Sequence, residues 1–264
     1  MRKYVAWAKA GIKSTLVYSS DFFLWGLNEF LDTLIFLFIW MIIYGERNSI
    51  AGFSLPETVT YLIGVGLISN IISSPIPERI EKDIQEGKLS NFLVKPMSYP
   101  RTRFFGSLSG KPLNVLIRII VYALVAAVFR DKFIINLDAT ILVLFLISII
   151  FSLIINALLD FCTGFISFWT ITTSGFSGLA RTLKSIFSGG YAPIVFFPRW
   201  FQITAGILPF SYTRYFPMLI YLRKISMMET IRGLGIQILW VAILYLLSRF
   251  VWRRGVKRYE GVGI

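Results

Sequence analysis

The sequence is poor in the residues that most often carry out chemistry: its 264 residues include no histidine and one cysteine. Without histidine, the chain has no His-based catalytic triad, proton relay or metal ligand. The single cysteine, Cys162, allows neither an internal disulfide nor a cysteine metal cluster, and we expect it to be a small buried hydrophobe. Carboxylates and serines remain, but no carboxylate pair has supporting partners, so we predict no catalytic residue and no metal site.

Charge is also scarce: 16% of the residues are charged and 56% are hydrophobic, with a mean hydropathy of +0.69. A soluble domain is about one quarter charged, and a disordered chain has too little apolar surface to bury. The composition therefore indicates an integral membrane protein. The formal net charge of +13 then reflects basic residues that flank the spans and contact anionic membrane lipid, so we expect no nucleic-acid partner.

Apolar stretches of about 20 residues predict an all-α membrane protein with six transmembrane helices in a single domain, 1–264. The predicted spans are 22–44, 57–76, 112–129, 139–169, 175–190 and 233–252. The region 139–190 is too long for one span at about 1.5 Å per residue. We therefore place a turn near Thr170–Gly175, with a turn nearer Asp160 as the alternative.

Residues 1–20 lack the continuous apolar core of a signal peptide, because their basic side chains are spread among apolar ones. This pattern predicts an amphipathic interfacial helix on the membrane, with a helix packed against other cytoplasmic protein as the alternative. Six spans put both termini on one side. About 16 basic residues fall on that side and about 8 on the other, so the positive-inside rule predicts cytoplasmic termini.

The segment that follows the second span, 78–96, is polar and basic. Ile80 and Ile84 lie four residues apart on one face of a short predicted helix, and Gly87 stands where such a helix would end. A second apolar cluster follows at 89–94. The helix could cover the membrane surface, or it could present apolar side chains to a groove on a cytoplasmic partner.

The segment before the last span is apolar and aromatic, yet several prolines interrupt it, which does not fit a continuous span. For 191–217 we predict a pair of re-entrant outer helices. Non-helical backbone at membrane depth is tolerated only where it is buried in protein or lines a cavity. A simple interfacial hairpin is the alternative.

Both segments resemble known motifs. The run IEKDI at 80–84, followed by EGKL at 86–89 and by Leu93, Lys95 and Pro96, resembles the inner-loop motif of type-2 ABC exporter permeases. A second set of residues resembles the signature that precedes the last span in the six-span branch of this family. That set is Gly190, Pro193, Phe197, Pro198, Trp200, Leu208, Pro209, Phe210 and Pro217.

The resemblance, which covers nearly the whole chain, implies roles for both segments. In this family the loop 78–96 would contain a coupling helix that docks on an ATP-binding subunit. Its interface residues would be Ile80, Glu81, Asp83, Ile84, Gly87, Leu89 and Leu93. The outer helices of 191–217 would cap the exit of the substrate pathway. Their gate residues would be Pro193, Pro198, Trp200, Pro209 and Phe210.

The same resemblance implies partners. Two permease chains, identical or related, would pair with two ABC ATP-binding subunits in a prokaryotic plasma or inner membrane. ATP and Mg would bind to those subunits, and no cofactor to this chain. In agreement, the sequence has no Walker A loop: its nearest string, GSLSGKP at 106–112, has the wrong spacing and a proline after the lysine.

Charged residues also fall inside the predicted spans, where a charge costs about 3 kcal/mol. Glu29 and Asp32 share a face of the first span, and Arg118 lies at similar depth in the third. We predict that Glu29 or Asp32 pairs with Arg118. Such a pair would lock helix packing, or its carboxylates would line an inner vestibule that attracts cationic substrate. Asp160 and Arg181 form a second predicted pair.

The sequence thus predicts a permease subunit of an ATP-driven exporter, working by alternating access, whose substrate pathway lies in a permease dimer. The alternative is a secondary carrier or channel that acts without an ATPase, although the inverted repeat of many carriers is not visible. The exported substrate stays open among drug-like amphiphiles, as in multidrug efflux, lipids and glycan-linked lipids.

Overall fold

The structure, a computed structural model, describes residues 19–94, 96–108, 111–170 and 174–259, and they are mostly helical. The predicted interfacial helix 1–20 lies outside the described residues except for its last two positions. The helices are α1 (Ser19–Tyr44), α2 (Leu55–Ile72), α3 (Ile76–Gln85), α4 (Lys88–Leu93), α5 (Tyr99–Leu108), α6 (Lys111–Val128), α7 (Ala139–Phe165), α8 (Ser174–Phe187), α9 (Arg199–Ile207), α10 (Tyr215–Tyr221) and α11 (Met227–Arg258). A short antiparallel hairpin, β1 (Ser49–Ile50) and β2 (Phe53–Ser54), joins α1 to α2.

The long helices begin where side chains can satisfy their first backbone N–H groups. Ser54 and Glu57 form a capping box at the start of α2, and Ser226 and Glu229 form another at the start of α11. Asp138 caps α7 by accepting from the backbone N–H groups of the first turn. These signals involve only residues within one turn of the first residue of each of these three helices.

Three helical segments in the described part of the chain are long and apolar enough to cross a membrane: Leu55–Gln85, Ala139–Phe168 and Met227–Arg258. Two shorter apolar helices, Phe30–Tyr44 and Arg118–Val128, accompany them. Helix α8 has 14 residues, about 21 Å, which is shorter than the roughly 30 Å hydrocarbon core. The fold is thus a helical membrane protein in which three described helices have spanning length.

The three long segments run in the same direction. At their beginnings, Lys224 lies 2.6 Å from the Glu57 carboxylate, and the Ile134 N–H donates to Thr60 Oγ1 at 2.8 Å. At their ends, the rings of Phe165 and Trp252 lie 5.1 Å apart. We call the first region, with the β-hairpin, the hairpin end, and the other the carboxyl end. Helices α1 and α6 run the opposite way.

The carboxyl end has its own hydrophobic cluster, separate from the larger cluster around α2. Its buried members come from α3, α4, α5, α7 and the 3-10 turn Ile166–Phe168 after α7. Asp160 lies inside α7, and the chain leaves that helix only after Phe168. Cys162 of α7, expected to be buried, is half-buried.

Candidate functional site

The inner segment, α3 and α4, begins at a break in the second helical segment. Helix α2 stops at Ile72, and Pro75 and Pro77 redirect the chain into α3. The Ser74 hydroxyl donates to the Asp160 carboxylate of α7 at 2.8 Å, which fixes the break. As a result α3 leaves the line of α2 and packs against the end of α7.

Ile80 is held by a close helix contact. It is fully buried, and a Cβ added at Gly164 of α7 would lie 2.8 Å from Ile80 Cδ1 and 3.0 Å from Pro77 Cα. Only glycine leaves room for this approach. Leu89 of α4 is also fully buried in the carboxyl-end cluster. The two side chains therefore belong to the core of this chain, and neither can contact a partner in this conformation.

Asp83 is held by a buried polar cluster. It forms an ion pair with Arg103 of α5 and accepts a hydrogen bond of 2.5 Å from the Tyr99 hydroxyl. The Arg103 guanidinium lies 4.8 Å from the centroid of the Phe92 ring, and Tyr99 stacks on Trp252 of α11 at 5.3 Å. Burial, followed by the hydrogen bond to Asp83, raises the pKa of Tyr99 well above its ordinary value, so it is a neutral donor at physiological pH.

The exposed side of the inner segment is what a partner can reach. Gly87, with a left-handed φ of +69°, turns the chain between α3 and α4. Beyond it, Leu93 and Val94 expose 44% and 84% of their surface at the tip. Of the other predicted interface residues, Glu81, Ile84 and Gly87 are half-buried. The remaining exposed residues of α3, α4 and the turn between them are Glu78, Arg79, Lys82, Gln85, Glu86, Lys88, Ser90 and Asn91.

The predicted outer gate lies at the hairpin end. Pro193 and Pro209 are buried, Phe210 is half-buried, and Pro198 and Trp200 are exposed. Two short helices, α9 and α10, occupy this region. Ring stacking holds α9, since the ring of Phe201 lies 4.8 Å from Phe187 and 4.5 Å from Phe197.

Neutral donors attach these short helices to the long ones. The Tyr61 hydroxyl donates to the Gly189 carbonyl at 2.7 Å, and Gln237 Nε2 donates to the Tyr212 carbonyl at 2.8 Å. The Gly189 carbonyl lies in a turn and the Tyr212 carbonyl in the 3-10 turn Ser211–Thr213, outside the α-helices. Sequence reasoning missed this role of Tyr61 and Gln237. A lone polar residue within an apolar helix is the signal that could have identified Gln237.

A buried ion pair connects α7 to α8. Asp160 pairs with Lys184 and also accepts from Asn156 Nδ2 at 2.9 Å. The predicted pair of Asp160 with Arg181 is wrong, because Arg181 pairs with Glu78 of α3. Arg181 and Lys184 share a face of α8 one turn apart. Lys184 is the less exposed of the two, and it reaches Asp160. The spacing of Asn156 and Asp160, four residues along one helix, could have revealed this network.

The predicted charge pair of the first span is described only in part. The side chain of Glu29 lies outside the described residues. Asp32 is exposed and lines a cavity of about 390 Å³ together with Gly66 and Tyr122, whereas Arg118 is half-buried. In the described part of the chain no ion pair joins Asp32 to Arg118, and the pairing with Arg118 stays a prediction.

Comparison with known proteins gives the family. The family model described as ABC-2 family transporter protein matches residues 30–263. No curated protein and no solved structure matches the chain. The match includes the inner segment, the three long helices and the two short helices at the hairpin end. The chain therefore belongs to the ABC-2 family of transporter proteins, as a membrane permease component of an ABC transporter.

Proposed function

We propose that the chain is the permease subunit of an ATP-driven exporter. Two such permeases, identical or related, would form the substrate pathway, and two separate ABC ATP-binding subunits would bind ATP and Mg and supply the energy. The observation that carries this proposal is the attachment of the inner segment. Helices α3 and α4 pack through buried contacts on the ends of α7 and α11, two of the helices of spanning length.

Coupling needs a stiff connection, because a force applied to a loose loop is lost in loop motion. Asp83, Arg103 and Tyr99 supply that connection, and the Tyr99–Trp252 stack extends it to α11. The exposed tip at Leu93 and Val94 provides an apolar contact for an ATP-binding subunit. Movement of that subunit would then shift the carboxyl ends of α7 and α11 as one body.

The hairpin end would serve as the exit. The short helices α9 and α10 lie between Tyr61 of α2 and Gln237 of α11, so relative movement of those helices changes the position of both. Pro193, Pro198, Trp200, Pro209 and Phe210 would form the outer gate. In alternating access, the substrate pathway would close at the carboxyl end while it opens at the hairpin end.

The proposed topology has six spans with both termini in the cytoplasm of a prokaryotic cell. Helices α1 and α6, with their apolar parts Phe30–Tyr44 and Arg118–Val128, would complete two spans. Helix α8 and the segment after it would form the fifth, since α8 alone is too short. The substrate would be a drug-like amphiphile, a lipid or a glycan-linked lipid.

The test is purification of the tagged chain from its native host in mild detergent, with mass spectrometry of the proteins that accompany it and an ATPase assay. We expect an ATP-binding subunit at about one per permease. Replacing both Leu93 and Val94 by Asp should remove that subunit and the ATPase activity, because a charged tip cannot enter an apolar groove.

The matched control is the replacement of both Ile135 and Leu137 by Asp, which places the same two charges on exposed apolar side chains at the hairpin end. It should leave the ATP-binding subunit bound. Leu89→Asp is unsuitable as a test, because Leu89 is buried and the variant would unfold. A clean homo-oligomer without an ATPase would contradict the proposal and favour a secondary carrier or channel.

A further inference from the structure

A cavity of about 530 Å³ lies between α5, α7 and α11 at the carboxyl end. A cavity of this volume accommodates a ligand of drug size. Apolar and aromatic side chains form most of its wall, and Phe161, Phe165 and Trp252 belong to it. No residue of the inner segment's exposed tip lines it, so the cavity is distinct from the proposed ATPase contact.

The two charged residues that line the cavity are both arginines, Arg101 of α5 and Arg249 of α11. Both are exposed, and neither has an acidic partner among the described residues. Arg103, two positions from Arg101, differs in this respect, because it is paired with Asp83. An apolar cavity bordered by two unpaired cations complements an anionic amphiphile.

The location of the cavity indicates where that amphiphile comes from. Tyr245, which lines the cavity, is itself 52% exposed, and it borders the exposed apolar face of α11 at Leu246 and Phe250. In a membrane this face contacts lipid chains. Toward the end of α11 the exposed surface becomes basic. The basic residues there are Arg249, Arg253, Arg254, Lys257 and Arg258. Such a change marks the level of the lipid headgroups.

We propose that this cavity binds one anionic phospholipid of the leaflet at the carboxyl end. One of its two acyl chains lies against Phe161, Phe165 and Trp252, the other remains in the bilayer, and its phosphate lies between Arg101 and Arg249. The lipid would thus contact α5, α7 and α11, the three helices that also hold the inner segment. It would bridge the junction through which we propose that force passes.

The binding is measured on the purified transporter in neutral detergent by native mass spectrometry, with titration of dioleoyl-phosphatidylglycerol or dioleoyl-phosphatidylcholine. We expect one phosphatidylglycerol molecule to bind. Its half-saturating concentration should be at least tenfold lower than that of phosphatidylcholine. Arg101→Gln and Arg249→Gln should each weaken phosphatidylglycerol binding about fivefold, as expected for one basic residue at an anionic lipid surface. The double variant should lose the preference.

Two further variants separate the cavity from general surface charge. Leu158→Trp fills the cavity but keeps both arginines, and it should abolish binding of the single phosphatidylglycerol. Thermal unfolding shows whether Leu158→Trp is folded. If the tryptophan ring prevents folding, Leu158→Phe serves the same purpose. Arg253→Gln removes an exposed charge from the same helix but not from the cavity wall, and it should leave binding unchanged.

Three results would overturn the proposal. Equal binding of the two lipids would exclude recognition of the anionic headgroup. Unchanged binding in both folded Leu158 variants would show that lipid contacts the surface and not the cavity. An effect of Arg253→Gln as large as that of Arg249→Gln would assign the preference to the overall basic charge of the helix end.

Discussion

The two ends of the molecule are built from different polar contacts. At the carboxyl end, charged side chains pair with each other across helices: Asp83 with Arg103, and Asp160 with Lys184. At the hairpin end, the buried Tyr61 and Gln237 are neutral donors to backbone carbonyls. The half-buried Arg214 there donates to the neutral Ser188 hydroxyl. The ion pairs of that end are less buried: Arg223 with Asp138 is exposed, and Lys224 with Glu57 is half-buried.

This difference has energetic consequences. Removing one partner of a buried ion pair leaves a charge without compensation, which costs about 3–5 kcal/mol. Losing a neutral hydrogen bond to a buried carbonyl costs about 1–3 kcal/mol. The carboxyl end should therefore move as one rigid body, as coupling requires. The hairpin end can rearrange at lower cost, as a gate requires.

The largest effect is expected for Arg103→Ala. It leaves Asp83 buried and charged and removes the contacts with Phe92 and Tyr99, so the free energy of unfolding should fall by about 3–5 kcal/mol. Thermal unfolding in detergent measures the change. The control is Lys88→Ala, which removes an exposed ion pair with Glu86 and should cost less than about 1 kcal/mol. Equal effects of the two variants would show that the Asp83 cluster does not stabilise the carboxyl end.

An intermediate effect is expected for Gly164→Ala. The added methyl group would lie 2.8 Å from Ile80 Cδ1 and 3.0 Å from the Pro77 backbone, so α3 must shift, at a cost of about 1–3 kcal/mol. Gly235→Ala in α11 is the matched control, because a Cβ there meets no atom within 4 Å. It should be neutral or slightly stabilising, since alanine favours a helix more than glycine. If both variants unfold alike, the close contact between α3 and α7 is not what positions the inner segment.

The smallest effect is expected for Gln237→Leu at the hairpin end. The fully buried Gln237 already has an unpaired Oε1, and its Nε2 donates to the Tyr212 and Ser148 carbonyls. Because the Ser152 hydroxyl also reaches both carbonyls, neither is left without a donor, and the net loss is about 1 kcal/mol. Hydrogen exchange should become faster in α9 and α10 and stay unchanged in α3 and α4. Arg103→Ala should give the reverse pattern. An increase of exchange at both ends in either variant would contradict separate rigid and mobile regions.

The sequence by itself determined the class of protein and much of its local structure. Few charges and long apolar runs require a membrane environment, because such a chain cannot cover its apolar surface in water. Capping boxes at Ser54 and Ser226 begin two long helices at defined positions, since they need only neighbours within one turn. The inner and outer motifs are likewise local patterns, and they led to the family that the comparison confirmed.

Only the tertiary structure decided which side chains of the inner segment a partner can reach. Helical spacing puts Ile80 and Ile84 on one face, but it cannot say whether that face meets a partner or the same chain. Gly164, 84 positions after Ile80, decides this by letting α3 approach α7. In the same way, Asp160 selects Lys184 over Arg181, two cations on one helical face, because their distances from Asp160 depend on how α8 packs. Such choices involve residues far apart in the chain, and periodicity along one helix does not encode them.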